Sequence, residues 1–276
     1  MKIVDGKALA VKLREELKEK IGALPKAPGL AVVIVGHDPA SQIYVRNKIK
    51  ACGELGIRSF SYELPEMATQ KEVEDVLDGL ASNPKVNGIL LQLPLPKGLN
   101  AESAMSHIPF EKDVDGFSAE NLGLLLLHKE RTVACTPLGV MKILEHEGVE
   151  IAGKNAVVLG RSDTVGKPMA MLLLNANATV TICHSKTQNL KEICKNADIL
   201  VSAIGKAKFV TADMVKQGAV VIDVGINRDE NGKLCGDVDF ENVKEKTSCI
   251  TPVPGGVGPM TITMLMYNTY LATLKE

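Results

Sequence analysis

From residue 156 onward the chain alternates short apolar runs with helical stretches, and this alternation constrains the fold more than any other feature. Apolar runs at 156–159, 179–183, 199–203 and 220–224 predict strands, with helical segments near 165–175, 190–195 and 212–217 between them. Strand–helix–strand series of this kind imply a parallel sheet. At 276 residues the chain is also long enough to prefer two domains over one.

The first half has a looser α/β pattern. Helical spacing over 7–21 ends at Gly22, and a Pro/Gly stretch at 25–29 leads into an apolar strand at 30–35. A turn, Gly36-His37-Asp38-Pro39, precedes a helix that opens with Ser41 and closes at Gly56. A strand at 58–64 follows, and Thr69-Gln70-Lys71-Glu72 is a capping box for a helix to about residue 82. The run 87–93 predicts a buried parallel strand, halted by Pro94-Leu95-Pro96 because proline has no N–H to donate. Asp113-Val114-Asp115-Gly116 predicts a turn. A helix over 138–147 connects the halves, and a Gly/Pro loop at 252–259 precedes a last helix at 261–274, expected to pack back on the first half.

The fold class is therefore α/β, with two α/β domains, the C-terminal one a Rossmann-like parallel sheet, and a cleft between them. The expected domains are 1–137, completed by the C-terminal helix 260–276, and 138–259. A net charge of −1 does not suggest a polyanion partner such as nucleic acid, and aromatics at 3% weaken any base-stacking role. No apolar run approaches the ~18 residues of a membrane span. The six cysteines form no C-x-x-C pair, which argues against a zinc knuckle or a thioredoxin-like site; reduced and mostly buried thiols in a cytoplasmic protein are expected in preference to a disulfide framework.

Two places carry candidate chemistry. The 156–159 strand runs into Gly160-Arg161-Ser162, with Val165-Gly166-Lys167-Pro168 beyond. The glycine spacing is not G-x-G-x-x-G, yet a glycine at the strand end permits close approach of a phosphate facing the next helix's amides. An ordinary βα turn has the same local pattern. The second strand ends in Cys183-His184-Ser185-Lys186 without the carboxylate that usually binds the ribose of NAD, which leans toward NADP. Glycines after two further strands, in Ser202-Ala203-Ile204-Gly205-Lys206 and Asp223-Val224-Gly225-Ile226-Asn227, are weaker signals of a cofactor wall.

In the first half, Tyr44 and Lys48 stand one helical turn apart just beyond a strand end, where ligands bind in open α/β sheets. A lysine that moves protons needs its pKa lowered from ~10.4 toward neutrality. A packed aromatic and a snorkelling lysine would give the same spacing. Gln92, inside an apolar run, needs partners for its amide, either backbone groups or a ligand. Asp113 and Asp115 suit a turn, and one such carboxylate could accept two N–H groups from an amino-pyrimidine edge.

Taken in order, Tyr44-x-x-x-Lys48, Gln92-Leu93-Pro94-Leu95-Pro96, Asp113-Val114-Asp115-Gly116-Phe117, Gly160-Arg161-Ser162 and the loop from Thr251 to Thr261 resemble one family over essentially the whole chain. It is the bifunctional methylenetetrahydrofolate dehydrogenase/methenyltetrahydrofolate cyclohydrolase family. The resemblance implies oxidation of 5,10-methylenetetrahydrofolate with NADP and hydrolysis to 10-formyltetrahydrofolate, within one-carbon metabolism and purine biosynthesis. It implies Lys48 as the proton-handling group, Gln92 as its holder, Tyr44 positioning the folate, and Asp115 binding the pterin edge. It implies Gly160, Arg161, Ser162, Ser185 and Ile226 for the cofactor, Pro254 and Gly255 toward substrate, and a homodimer; no metal is expected, because the histidines and cysteines show no ligand spacing. Two rivals stand beside it: another two-domain NAD(P)-dependent dehydrogenase, and a nucleotide sensor without chemistry.

Overall fold

The computed structural model describes residues 1–274. In chain order the elements are β1 (Lys2–Ile3), α1 (Gly6–Gly22), β2 (Gly29–Val35), α2 (Pro39–Leu55), β3 (Arg58–Leu64), α3 (Gln70–Ala81), β4 (Gly88–Leu91), α4 (Ala101–Ser106), α5 (Ala119–Leu126) and α6 (Cys135–His146). They continue with β5 (Asn155–Leu159), α7 (Gly166–Asn175), β6 (Thr179–Cys183), α8 (Leu190–Lys195), β7 (Ile199–Ser202), β8 (Ala219–Asp223), β9 (Asn227–Arg228), β10 (Leu234–Cys235), α9 (Phe240–Val243), β11 (Thr247–Ile250) and α10 (Val257–Thr273). The chain divides into two compact units. One, here the N-terminal unit, runs from Lys12 to Cys135 and takes in the chain from Ile262; the other, the C-terminal unit, holds Met1–Val11 and Thr136–Thr261.

The N-terminal unit is built on a three-stranded parallel sheet ordered β3-β2-β4. All seven residues of β2 are buried, as expected of a central strand covered on both faces. α3 presents Val73, Leu77 and Leu80 at helical spacing to the core beside β2 and β4, each at most 2% exposed. Full burial of such side chains stabilises by roughly 1.5–3 kcal/mol apiece. The capping box is present: Glu72 N donates to Thr69 Oγ1 at 3.2 Å, and Thr69 N donates to Glu72 Oε2 at 2.7 Å. α2 starts two residues ahead of Ser41 because Asp38, not Ser41, caps it, accepting from Ser41 N at 2.8 Å. The far end stops at Gly56, in the left-handed conformation. As expected, α10 packs back on this unit: Cys52 Sγ lies 3.6 Å from Met266 Sδ, and Asn268 Nδ2 donates to the carbonyls of Val114 and Val133, both at 2.9 Å.

The C-terminal unit is a six-stranded, wholly parallel sheet ordered β1-β11-β8-β7-β5-β6. Four of its strands match the sequence reading to within a residue. β11 and β1 do not appear in that reading: each is short, and β1 exists only because Lys2 and Ile3 pair with Cys249 and Ile250. The first strand of the chain therefore joins the C-terminal sheet, although its sequence reads with the first half. The helix expected over 212–217 is a single 3-10 turn at Ala212–Met214. Val215, 1% exposed, is already extended and leads the chain into β8. Beneath the sheet, Val157, Leu159, Leu200, Val221 and Ile250 form a continuous apolar core with Val210 and Val243.

Candidate active site

In both units the chain reverses its direction of travel across the sheet, and the candidate residues collect where it does. In the N-terminal unit β2 is followed by β3 on one side and β4 on the other. The C-terminal ends of β2 and β4 thus frame a topological switch point, the preferred ligand position in open α/β sheets. α2, which leaves β2 there, carries Tyr44 and Lys48, and Gln92 immediately follows β4.

Lys48 Nζ donates to Gln92 Oε1 at 2.9 Å, and Gln92 Nε2 donates to the Leu93 carbonyl at 2.7 Å. The glutamine is thereby held at both ends of its amide, with its oxygen turned to the lysine. Gln92 N also donates to Val33 O at 2.8 Å, so its backbone is fixed by the sheet beyond the last strand residue. Tyr44 stands one turn ahead of Lys48 on the same helix and is 41% exposed.

The two turn aspartates have opposite fates. Asp113 is buried, and its carboxylate accepts from Gly116 N at 2.9 Å, Ser118 N at 2.8 Å and Asn121 Nδ2 at 3.0 Å. It is spent on folding the turn. Asp115 receives no such set. It shares a small recess with Leu91, Ile108 and Phe117, and burial pushes its carboxyl up to about 6, with the Lys48 ammonium pulling the other way and Asp113 adding to the rise. Cys135 stands against it, Sγ 3.9 Å from Asp115 Oδ1 and 3.3 Å from Val114 O, and Asn268 Nδ2 approaches the same sulfur at 3.5 Å. Burial, with the neighbouring Asp115 charge, drives that thiol well above its usual range. In the sequence Cys135 is one of six unpaired thiols. No local signal marks it, since twenty residues separate it from Asp115.

The switch point of the C-terminal unit lies between β5 and β7, because α7 leads from β5 to β6 on one side and the chain then crosses to β7 on the other. A cavity of about 280 Å³ opens there, lined by Gly160, Arg161, His184, Ser185, Ile204 and Lys206 among others. Gly160 has φ +117°, and a Cβ there would stand 2.3 Å from Ala203 O, so only glycine lets the two strand ends meet. The lining offers Arg161, Lys206 and Ser185 and no carboxylate, a donor set that fits a phosphorylated dinucleotide. His184 Nδ1 accepts from Lys186 N at 3.1 Å, which assigns the proton of the neutral ring to Nε2. Ser162 lies beyond the lining; its Oγ accepts from Val165 N at 3.2 Å and Gly166 N at 3.3 Å and ties off the first turn of α7. Ile226 is 54% exposed on the loop after β8, and Pro254 and Gly255 lie on the loop between β11 and α10.

Comparison with known proteins places the chain in a family. Residues 4–115 match the model of the tetrahydrofolate dehydrogenase/cyclohydrolase catalytic domain, and residues 134–276 match that of the NAD(P)-binding domain of the same enzymes. The chain belongs to the tetrahydrofolate dehydrogenase/cyclohydrolase family. The bifunctional protein FolD of Campylobacter concisus is 58% identical over 99% of this chain and 97% of its own length. Among solved structures, the bifunctional enzyme FolD of Campylobacter jejuni, a methylenetetrahydrofolate dehydrogenase/cyclohydrolase, superposes with a TM-score of 0.98 at 49% identity, all of both chains being covered. The Trypanosoma brucei enzyme, solved with NADP cofactor and an inhibitor, gives a TM-score of 0.95 at 41% identity, with 99% of this chain and 97% of that one covered. The match to the NAD(P)-binding domain takes in β5 to β11 of the C-terminal sheet and runs on through α10. Among the described residues no helix is long and apolar enough to cross a membrane, and no group of three or more His, Cys, Asp or Glu is placed to hold a metal ion.

Proposed function

We propose that this chain oxidises 5,10-methylenetetrahydrofolate to the 5,10-methenyl cation with NADP, then hydrolyses that cation to 10-formyltetrahydrofolate. The observation that carries the reading is the Lys48–Gln92 bond of 2.9 Å with the uncommitted Asp115 carboxyl in the field of the same lysine. NADP, when bound, supplies the hydride acceptor.

In the hydrolytic step water adds to the electrophilic methenyl carbon, a C–O bond forms and a proton must leave. Opening the ring breaks the bond between that carbon and N5, which takes a proton in turn. Lys48 handles these protons, and Gln92 fixes the direction of its Nζ. Asp115 accepts the amino and ring N–H groups of the pterin, and Tyr44 packs along the ring system. A carboxylate already bonded to the backbone, such as Asp113, has no oxygen free for that task. The folate nitrogens expel the hydride themselves, so the oxidative step asks the protein for orientation more than for a base. Gly160 gives the cofactor phosphates access to backbone, Arg161 and Ser185 bind the 2′-phosphate, and Ser162 shapes the amide turn beside them. Ile226 offers an apolar contact to the cofactor, and Pro254 and Gly255 contribute to the folate side. The family resemblance supports a homodimer in the cytoplasm serving purine biosynthesis.

The test is a paired turnover assay with 5,10-methylenetetrahydrofolate, run once with NADP and once with NAD, following reduced cofactor and the methenyl and 10-formyl products. NADP-dependent turnover ending in 10-formyltetrahydrofolate is the expected result. Turnover with NAD alone would remove the 2′-phosphate roles of Arg161 and Ser185. A folded protein inactive with both would return the other-dehydrogenase or sensor reading.

A further inference from the structure

Two strand ends of the C-terminal unit, Ser202 on β7 and Asp223 on β8, are polar and almost fully buried, and a third buried group, Asp237, reaches them from the turn after β10. The Asp237 carboxylate is 0% exposed and receives five hydrogen bonds. Oδ2 accepts from Ile204 N at 2.8 Å, Gly205 N at 3.3 Å and Ser202 Oγ at 3.1 Å. Oδ1 accepts from Lys206 N at 2.8 Å and Asn227 Nδ2 at 2.9 Å. Successive backbone N–H groups converging on an anion are the arrangement by which loops bind phosphate. Here the anion is the chain's own carboxylate.

Asp223 holds Asp237 in turn. Its Oδ1 accepts from Asp237 N at 2.9 Å and Gly225 N at 3.0 Å, and its Oδ2 accepts from Val238 N at 2.9 Å. The fit leaves no space for side chains: a Cβ on Gly236 would lie 1.8 Å from Asp223 Oδ2, and one on Gly225 would lie 2.2 Å from Asp237 Oδ1. Two buried carboxylates close together oppose folding, and burial pushes the Asp223 carboxyl up to about 7, Asp237 adding to the rise against the backbone bonds. What the pair accomplishes is geometric. Ile204 and Lys206, on one tethered loop, line the nucleotide cavity; Asn227, on the other, directly follows Ile226. Neither carboxylate lines that cavity itself.

We propose that Asp237 is a positioning residue for the dinucleotide, clamping the 204–206 and 225–227 loops from behind, with Asp223 as its support. This deepens the NADP reading, on which it rests, by naming what holds the cavity wall in shape. Asn at position 237 keeps the volume but turns an NH2 group toward donors, so one of the two loops loses its acceptor.

The test uses the full-length protein and its Asp237→Asn variant. NADP affinity is measured by titration calorimetry, KM and kcat by the dehydrogenase assay, and hydrolysis of methenyltetrahydrofolate without NADP reports on the N-terminal unit. The expected result is a rise of about tenfold or more in Kd and KM for NADP, the scale of one or two lost charge-assisted bonds, with kcat and the cofactor-free hydrolysis close to the parent's. Parental Kd in the variant overturns the proposal, and so does parallel loss of both activities in a folded protein. Should Asp237→Asn not fold, Ser202→Ala decides. It removes one of the five bonds, and a Kd raised about threefold supports the clamp, whereas an unchanged Kd overturns it. A parent protein that does not bind NADP would instead sink the cofactor reading itself, before any variant is compared.

Discussion

Replacing Asn268 by alanine should weaken both the fold of the N-terminal unit and its grip on folate. Asn268 is 1% exposed, and its Nδ2 donates to Val114 O and Val133 O, each at 2.9 Å. Alanine removes two neutral hydrogen bonds, worth about 1 kcal/mol each, and leaves Val133 O buried without a partner among the described residues, a further cost of about 1–3 kcal/mol. Val114 O keeps the Cys135 thiol at 3.3 Å, which limits the loss there. Asn268 Oδ1 is itself buried and without a partner among the described residues, so its removal returns roughly 1 kcal/mol or somewhat more. The net destabilisation is about 2–3 kcal/mol. It should appear as a lower midpoint in urea unfolding. Val114 immediately precedes Asp115, so the KM for methenyltetrahydrofolate in the hydrolysis assay should rise with it. Asn268→Asp should be worse, since it aims a carboxylate at two carbonyl oxygens, and worse at pH 8 than at pH 5. An alanine variant within about 0.5 kcal/mol of the parent, a shift typical of inert surface changes, would refute the reasoning.

Other expectations follow from the same geometry. Lys48→Met should lower hydrolysis by about 10²–10⁴-fold, the usual contribution of a positioned proton-transfer group, and lower hydride transfer far less; equal losses in a folded protein would remove the assigned role. Asp115 titrates at about 6, so protonation below that pH removes an acceptor and the KM for folate substrates should climb between pH 7 and pH 5, a slope that Asp115→Asn should flatten. Because its folded pKa exceeds the ordinary 3.8, Asp115 adds stability fully present below pH 3.8 and lost as pH rises through about 6. Asp115→Asn should thus raise Tm at pH 8 relative to the parent, with the gap closing toward acid pH. Arg161→Ala should raise the KM for NADP about ten- to hundredfold, matching a charge-assisted bond of ~1.5–3 kcal/mol, while turnover with NAD stays near the parent's; a matching loss with NAD would place the side chain away from the 2′-phosphate.

Much of this protein is legible along the chain because the relevant physics is local. The αβ alternation after residue 156, the capping box at Thr69 and the glycine that ends α2 each depend on neighbours within a few residues, and the structure has them at or next to the expected positions. The Tyr44–Lys48 spacing is also local, since it needs only a helix. Where the sequence reading departs from the structure, distant chain decides. β1 is two residues that become a strand only against β11. The 3-10 turn at Ala212–Met214 stops short because Val215 is drawn extended into the buried approach to β8.

The sites divide the same way. Residue types at Lys48, Gln92, Asp115, Gly160 and Arg161 narrow the chemistry before any fold is known, because a lysine, an amide, a carboxylate and a glycine at a strand end can each do only a few things. Which of two neighbouring aspartates stays free is a different kind of fact. Asp113 is consumed by Gly116, Ser118 and Asn121, a matter of hydrogen-bond geometry that no spacing rule contains. Cys135 and Asn268 behind Asp115, and Asp237 behind the 204–206 loop, come from 20, 153 and about 30 residues away along the chain. The sequence by itself determined the alternation, the capping box at Thr69 and the reactive side chains, since backbone preference and functional-group chemistry belong to each residue. Only the tertiary structure decided which buried polar groups meet, because burial forces every donor and acceptor to find its partner across the fold.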